Sequence, residues 1–166
     1  MENQKDNRRN NEPATCFEDL DTWKKAHEFV LRVYQMTNMF PKSEVYGLSS
    51  QMRRAAYSIP ANIAEGFKKR GKADKVRYLN ISQGSLEETK YYLILSRDLG
   101  YADASHVSQM QARINEVGMM LDSYMNRIIQ DSRREKFRVF GFLAPLLLGF
   151  LTSCFLTSWL LNFLTS

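Results

Sequence analysis

The sequence predicts an all-α protein, an antiparallel up-down four-helix bundle with an extra C-terminal hydrophobic helix. Three observations predict this class. Apolar side chains recur every three or four residues along four long segments. Only four prolines and eight glycines interrupt the 166 residues, which disfavours a fold of many short strands. Short polar connections separate the segments, and they place successive helices antiparallel with their apolar stripes facing inward.

The first two segments have recognisable ends. The first helix begins at Asp21 or Thr22, either of which is suited to cap it, and ends before Pro41. The second begins at Leu48 and ends near Gly66, because glycine is a common residue just past a helix C-terminus. The connection between them is short, as an antiparallel pair requires.

The third segment carries two rows of residues at heptad spacing, one of leucines and one of small polar side chains. Small residues allow a partner helix to approach closely. Gly100 ends this segment, and Asp103 or Ser105 opens a fourth, whose apolar residues keep an unbroken three-four alternation up to Ile128. The two rows of the third segment are Leu79, Leu86 and Leu93, and Ser82, Thr89 and Ser96.

Charge divides the chain into three parts. Residues 1–16 are polar and lack the apolar core of a secretory signal, so they predict a disordered arm. Residues 17–136 hold the four helices of the bundle. Residues 137–166 form a hydrophobic tail, because no charged residue follows Arg138.

The tail predicts a membrane anchor. Residues 139–164 are mostly apolar and uncharged, and a helix of that length suffices to cross about 30 Å of hydrocarbon. Basic residues just before it fit a cytosolic flank. The expected location is a cytoplasmic bundle tethered to the inner face of a membrane. The alternatives are a tail that packs on the bundle or plugs an oligomer, and an extension without a selected role on a fully cytoplasmic protein.

The sequence offers no catalytic or metal-binding constellation. His27 and His106 fall on different predicted helices without partner groups, and Cys16 and Cys154 have neither a zinc-type nor a disulfide spacing. Phosphate-binding loops and nucleophile motifs are missing. We therefore predict a protein that is not an enzyme and that binds no cofactor and no metal.

The adjacent carboxylates of Glu87 and Glu88 do not change this prediction. Neighbouring residues diverge by about 100° around a helix, so the two groups do not converge on a substrate. One of them is expected to pair with Arg53 or Arg54 of the second helix.

A basic segment between Gly66 and Arg77 is the main candidate for a binding site. Its six cations face a single acid, Asp74, and its local charge of +5 equals the net charge of the whole chain. Such a positive potential attracts phosphate backbones without reading sequence, so RNA or DNA is a candidate partner. The alternative is a solvated loop that keeps the bundle soluble. The six cations are Lys68, Lys69, Arg70, Lys72, Lys75 and Arg77.

Three stretches of the chain resemble the bacterial 23S rRNA-intervening-sequence, or S23, family. They are QMRRAA at 51–56, SIPANIAEG at 58–66 and GSLEE at 84–88, and the likeness extends over about residues 17–129. The resemblance implies a small cytosolic four-helix bundle that assembles as a homo-oligomer, in several members a pentamer. Most members have no assigned activity. The hydrophobic tail departs from the family pattern.

A related branch implies more specific partners. The accessory variability proteins of diversity-generating retroelements are similar in architecture and bind nucleic acid and a reverse transcriptase. The alternative is a structural or protein-interaction module without nucleic-acid binding. Carried over by motif, the resemblance nominates a basic surface formed by Arg53, Arg54, Lys68, Lys69 and Arg70.

The SIPANIAEG motif also has a structural interpretation, which we favour over a ligand site. Its alanines allow helices to cross closely. Pro60 removes one helical hydrogen bond and predicts a kink, and the amide of Asn62 is suited to satisfy backbone groups freed there. Tyrosines such as Tyr91 and Tyr92 are candidates for a homo-oligomer interface.

Overall fold

The computed structural model describes the backbone of residues 14–164 and the side chains of residues 14–134. All regular structure in this range is helical, which confirms the predicted all-α class with four helices. Short 3-10 turns at Phe17–Asp19 and Lys42–Glu44 precede the first two helices. The helices are α1 (Asp21–Thr37), α2 (Leu48–Lys68), α3 (Lys72–Asp98) and α4 (Ala104–Leu164).

The chain divides into two compact units, Met1–Asn126 and Arg127–Ser166. Helix α4, Ala104–Leu164, has residues in both units. The extra C-terminal hydrophobic helix predicted from the sequence is not confirmed as an element of its own and stays a prediction. Of the predicted N-terminal arm, residues 14–16 alone fall within the described part of the chain.

The predicted membrane anchor lies beyond the side chains that the structure describes. Among the residues with described side chains, none of the helices is both long and apolar enough to cross a bilayer. The anchor at residues 139–164 falls outside that set, so it stays a prediction from the sequence.

Helices α2 and α3 pack antiparallel, since contacts that advance along one helix retreat along the other. Near the start of α2, Arg54 lies 3.6 Å from the carboxylate of Glu88. Further along α2, the carbonyl of Ile59 accepts a hydrogen bond of 3.0 Å from Ser82 Oγ, earlier in α3. The pair therefore has the up-down arrangement expected from its short connection.

Helix α4 lies against both α1 and α3. Between α1 and α4, Lys25 Nζ lies 3.2 Å from Glu116 Oε1. Between α3 and α4, the side-chain amide of Gln83 donates to the carboxylate of Asp122. Each helix therefore contacts the next one in sequence, and α4 returns beside α1 to complete the bundle.

The two predicted rows of α3 lie in the core of the bundle. All three leucines are at most 2% exposed, and the three small polar residues are fully buried. Their hydroxyls are nonetheless satisfied, because Ser82 bonds to the α2 backbone while Thr89 and Ser96 donate to carbonyls of α3 at 2.8 Å. Burying these small side chains costs no unpaired hydrogen-bonding group and allows close contact between helices.

Gly100 lies just beyond the end of α3 and terminates the helix, as predicted. Its φ of +72° is left-handed, a conformation that glycine adopts without the usual steric penalty. The N–H groups of Gly100 and Tyr101 donate to last-turn carbonyls at 2.9 Å, as in a Schellman motif. The predicted cap of α4 is also confirmed, because the carboxylate of Asp103 accepts the N–H of His106 at 2.9 Å.

The predicted polar cap of α1 is wrong. Leu20 occupies the N-cap position, and no side chain caps the helix there. The preceding acid, Asp19, instead accepts the N–H groups of Cys16 at 3.0 Å and Thr15 at 2.8 Å. These hydrogen bonds to the carboxylate hold the pKa of Asp19 down to about 2.

The SIPANIAEG motif lies within α2, and its structural interpretation holds only in part. Pro60 is buried inside the helix, but Ala61 is exposed. The amide of Asn62 donates to the carbonyl of Ser58 at 2.8 Å and to its hydroxyl at 3.0 Å. These bonds lie within the helix and do not reach the carbonyl of Ala56, the one that Pro60 leaves without its helical donor.

Candidate nucleic-acid interface

The six cations of the basic segment lie at the corner where α2 meets α3, which we call the basic corner. Three residues, 69–71, connect the two helices. Lys68 and Arg70 are exposed and make no hydrogen bond, ion pair or ring contact within the described residues. The basic corner consists of Lys68, Lys69, Arg70, Lys72, Lys75 and Arg77.

Gly66 determines how closely the two helices approach at this corner. It is buried, and a Cβ added there would lie 3.1 Å from Tyr78 Cβ and 3.4 Å from the carbonyl oxygen of Lys75. A Cβ there would force Tyr78 or the backbone at Lys75 to shift by a few tenths of an ångström. Glycine at this position therefore allows Tyr78 to lie close to the end of α2.

Three cations of the basic corner lie over aromatic rings. Lys69 Nζ is 4.6 Å from the centroid of the Tyr78 ring, and Arg77 Cζ is 5.1 Å from the same centroid. Lys75 Nζ is 5.7 Å from the centroid of the Phe67 ring. These distances are within the range of cation–π attraction. Three of the six cations therefore have a defined position on the surface, over an aromatic ring.

The one acid of the basic corner, Asp74, neutralises little of the positive charge of the corner. Asp74 Oδ1 lies 3.8 Å from Arg77 Nε, and both side chains are more than half exposed, so solvent weakens the pair. The N-cap of α3, Gly71, provides no side-chain hydrogen bond. The N-terminal end of a helix dipole is positive and repels cations, so the lysines at the start of α3 lower the stability of this helix.

Arg53 does not belong to this surface, contrary to the expectation from the resemblance. Its Nε donates to Thr37 Oγ1 at 2.7 Å, and its Nη2 donates to Asn38 Oδ1 at 2.9 Å. Its guanidinium also lies 4.8 Å from the centroid of the Tyr34 ring. The half-buried Arg53 side chain therefore fastens α2 to the end of α1.

Arg54 faces α3, the other helix that packs against α2. Its contact with Glu88 confirms the predicted pair between this region and one of the two adjacent carboxylates. Glu88 also accepts a hydrogen bond of 2.9 Å from the hydroxyl of Tyr92. Burial of the hydroxyl and the nearby carboxylate raise the pKa of Tyr92.

The eight predicted site residues therefore form two groups. Arg53 and Arg54 lie near the start of α2, whereas Lys68 lies in its last turn. At 1.5 Å per residue, about 20 Å of helix separates the groups. The structure brings together the six residues of the basic corner and leaves the two arginines apart.

Sequence reasoning missed two residues of this site, Phe67 and Tyr78. Both rings are partly exposed and lie beneath cations of the basic corner. The signal was present in the sequence, because these aromatics flank the basic segment on either side. Aromatic residues interleaved with cations are typical of surfaces that bind single-stranded nucleic acid.

The two histidines lie apart from this corner and from each other. The His27 ring stacks on Trp23 with centroids 5.1 Å apart, and His106 is exposed at the start of α4. No group of three histidine, cysteine, aspartate or glutamate residues is arranged to hold a metal ion within the described part of the chain.

The fold and this site define a class of protein, a small antiparallel helical bundle with a basic corner between its second and third helices. A family model described as 23S rRNA-intervening sequence protein matches residues 18–123, and the chain belongs to this family. The family resemblance of the sequence is thereby confirmed.

A solved structure from Bacteroides thetaiotaomicron VPI-5482 is similar to this chain. It is described as a protein with unknown function from the S23 ribosomal protein family. The two are 26% identical with a TM-score of 0.59, and the match covers 63% of this chain and 97% of that chain. None of the curated proteins matches the chain significantly. The comparisons therefore assign a family and a fold.

Proposed function

We propose that this protein is a non-enzymatic bundle that self-associates and binds nucleic acid, RNA in the first place, at its basic corner. The observation that carries the proposal is the grouping of six cations around one acid at the α2–α3 corner, with three of the cations held over aromatic rings. The description of the family names 23S rRNA, which makes RNA the first ligand to test.

Phosphate groups are the part of a nucleic acid that suits this corner. Lysine and arginine side chains neutralise phosphates and release the counterions around them, which drives binding without base recognition. The exposed Lys68 and Arg70 have no competing acid within the described residues. Binding at the basic corner is therefore expected to be strong at low salt and weak at high salt.

Removing charge at the corner should flatten this salt dependence. For single-stranded nucleic acid, each phosphate contact contributes about 0.7 to the slope of log affinity against log salt. The triple variant K68Q/K69Q/R70Q is expected to lose about 2 from that slope. The measurement is the affinity of the full-length protein for mixed single-stranded RNA between about 50 and 200 mM salt.

A matched triple variant separates the corner from net charge. K24Q/K25Q/R32Q removes the same charge from α1, where each cation already pairs with an acid. It is expected to change the slope by much less. Equal effects of the two triples, or no RNA binding by the unmodified protein, would contradict binding at the basic corner.

The outer surface of α3 supports self-association. Ile81, Tyr91 and Ile94 are 46%, 57% and 38% exposed, and Gly84 lies among them on the same face. A Cβ added at Gly84 would have nothing within 4 Å. Glycine inside a helix costs about 1 kcal/mol relative to alanine, and no contact with the described residues requires it here. Close approach by a second copy supplies a reason for this glycine.

Enlarging Gly84 tests this interface. G84L is expected to weaken self-association at least several-fold, because its side chain would project into the open groove beside Gly84 and block close approach by a second copy. Sedimentation equilibrium of the full-length protein measures the change. The control is Q109L on α4, which lies beside α1 and not in this groove. Unchanged association of G84L would remove α3 from the interface. The same experiment gives the number of subunits and therefore tests the pentamer implied by the resemblance.

For the tail, the proposal of a membrane tether is supported by sequence alone. An uncharged apolar stretch at residues 139–164 follows several basic residues. Full-length protein is expected to sediment with membranes, and protein ending at residue 138 is expected to stay in the supernatant. Equal partitioning of the two forms would exclude the tether.

A further inference from the structure

We infer that Tyr78 is a positioning residue whose ring holds Lys69 and Arg77 for contact with nucleic-acid phosphates, so that the basic corner binds RNA of any base composition. The inference rests on the proposed function and specifies its ligand chemistry, the phosphate backbone. It also assigns a role to a residue that carries no charge.

Tyr78 lies close to the backbone of α2. A Cβ added at Gly66 would be 3.1 Å from the Cβ of Tyr78, so the first turns of α3 approach the end of α2 closely at this residue. Lys69 lies in the α2–α3 connection, and Arg77 lies in α3. The ring of Tyr78 therefore links two cations that belong to different segments of the chain.

Fixing these cations has an energetic reason. Lysine and arginine are among the side chains that lose most conformational entropy when a ligand immobilises them. A ring at 4.6 Å from Lys69 Nζ and 5.1 Å from Arg77 Cζ already restricts both side chains before a phosphate arrives. Less entropy is therefore lost on binding, which is the general benefit of preorganisation.

Base stacking is the competing use of the ring. A nucleobase that stacked on Tyr78 would have to displace Lys69 or Arg77, and it would separate the ring from the cations that bind phosphate. Stacking on aromatic side chains accepts every base with modest preferences, whereas phosphate contacts give no preference. The salt slope distinguishes the two roles more sharply, because loss of stacking leaves the slope unchanged and loss of positioned cations flattens it.

The tyrosine hydroxyl is not needed for this role. Within the described residues, the Tyr78 hydroxyl makes no hydrogen bond, so its contacts there are those of the ring. Y78F keeps the ring and should bind as the unmodified protein does. Y78L and Y78M remove the ring but keep an apolar side chain against Gly66.

The experiment measures the affinity of the full-length protein and these variants for 20-nucleotide oligo-U and oligo-A at several salt concentrations. We expect the unmodified protein and Y78F to bind both within about twofold, and Y78L and Y78M to bind both roughly fivefold more weakly, with a flatter salt slope. Y57L is the control, since Tyr57 is 48% exposed on α2 and has no cation over its ring among the described contacts.

Each other result has a distinct meaning. A clear preference of the unmodified protein for oligo-A would overturn the inference without any substitution, since it indicates stacking. Affinities of Y78L and Y78M equal to that of the unmodified protein would overturn it while leaving the proposed function in place. Failure of the unmodified protein to bind either oligonucleotide would remove both. Thermal melting of every variant identifies any loss of affinity that follows unfolding.

Discussion

Replacing Leu93 with alanine is expected to lower the free energy of unfolding by about 3 kcal/mol, within the range of roughly 2 to 5 kcal/mol for such core truncations. The Leu93 side chain is 0% exposed and ends the leucine row of α3. Truncation removes buried methyl groups and leaves a cavity that surrounding helices fill incompletely. Urea denaturation followed by helical circular dichroism measures the change.

Leu31 provides a control of the same chemistry. It lies on α1 and is 51% exposed, so L31A removes the same atoms from a mostly solvated position. Its expected cost is below about 1 kcal/mol. A loss for L93A no larger than that for L31A would mean that the leucine row does not form the core. A changed dependence on urea concentration would instead indicate altered compactness.

Periodicity was sufficient to predict the bundle because burial in a helix follows spacing. Ser82, Thr89 and Ser96 are polar, yet their heptad spacing beside the leucine row placed them correctly in the core. In α1 the buried stripe predicted by the spacing was too narrow, since it contained only Trp23, Ala26, Val30, Val33, Thr37 and Phe40. Phe29 and Met36 are fully or nearly buried there, because α2 and α4 both contact α1 and widen its buried face.

The ends of the helices and the geometry of the site could not be predicted in full from the spacing of residues in the sequence. Both depend on contacts that form only when the helices pack together. The six residues of the basic corner lie together because they are neighbours in sequence around one short connection. Arg53 and Arg54 are also neighbours, but adjacent residues diverge by about 100° around a helix. One therefore faces α1 and the other faces α3. Which helix each one meets is a property of the packed bundle.

Replacing Arg53 with methionine is expected to lower the free energy of unfolding by about 2 kcal/mol, since hydrogen bonds to a charged group are worth roughly 1.5 to 3 kcal/mol. Methionine keeps the apolar stem of the side chain, so the loss reports mainly on the bonds to Thr37 and Asn38. The same variant is expected to retain the salt slope of RNA binding, because Arg53 lies about 20 Å from the basic corner along α2.

R54M is the matched control one position further along the helix. The Arg54 side chain is 62% exposed and pairs with Glu88 at 3.6 Å, and such surface pairs contribute about 0 to 1 kcal/mol. A small effect of R54M beside a large effect of R53M would assign Arg53 to the attachment of α2 to α1. If R53M instead kept its stability and lost RNA affinity, the arginine would belong to the binding surface, as the family motif implied. The two substitutions remove equal charge, so any difference between them arises from where each side chain points.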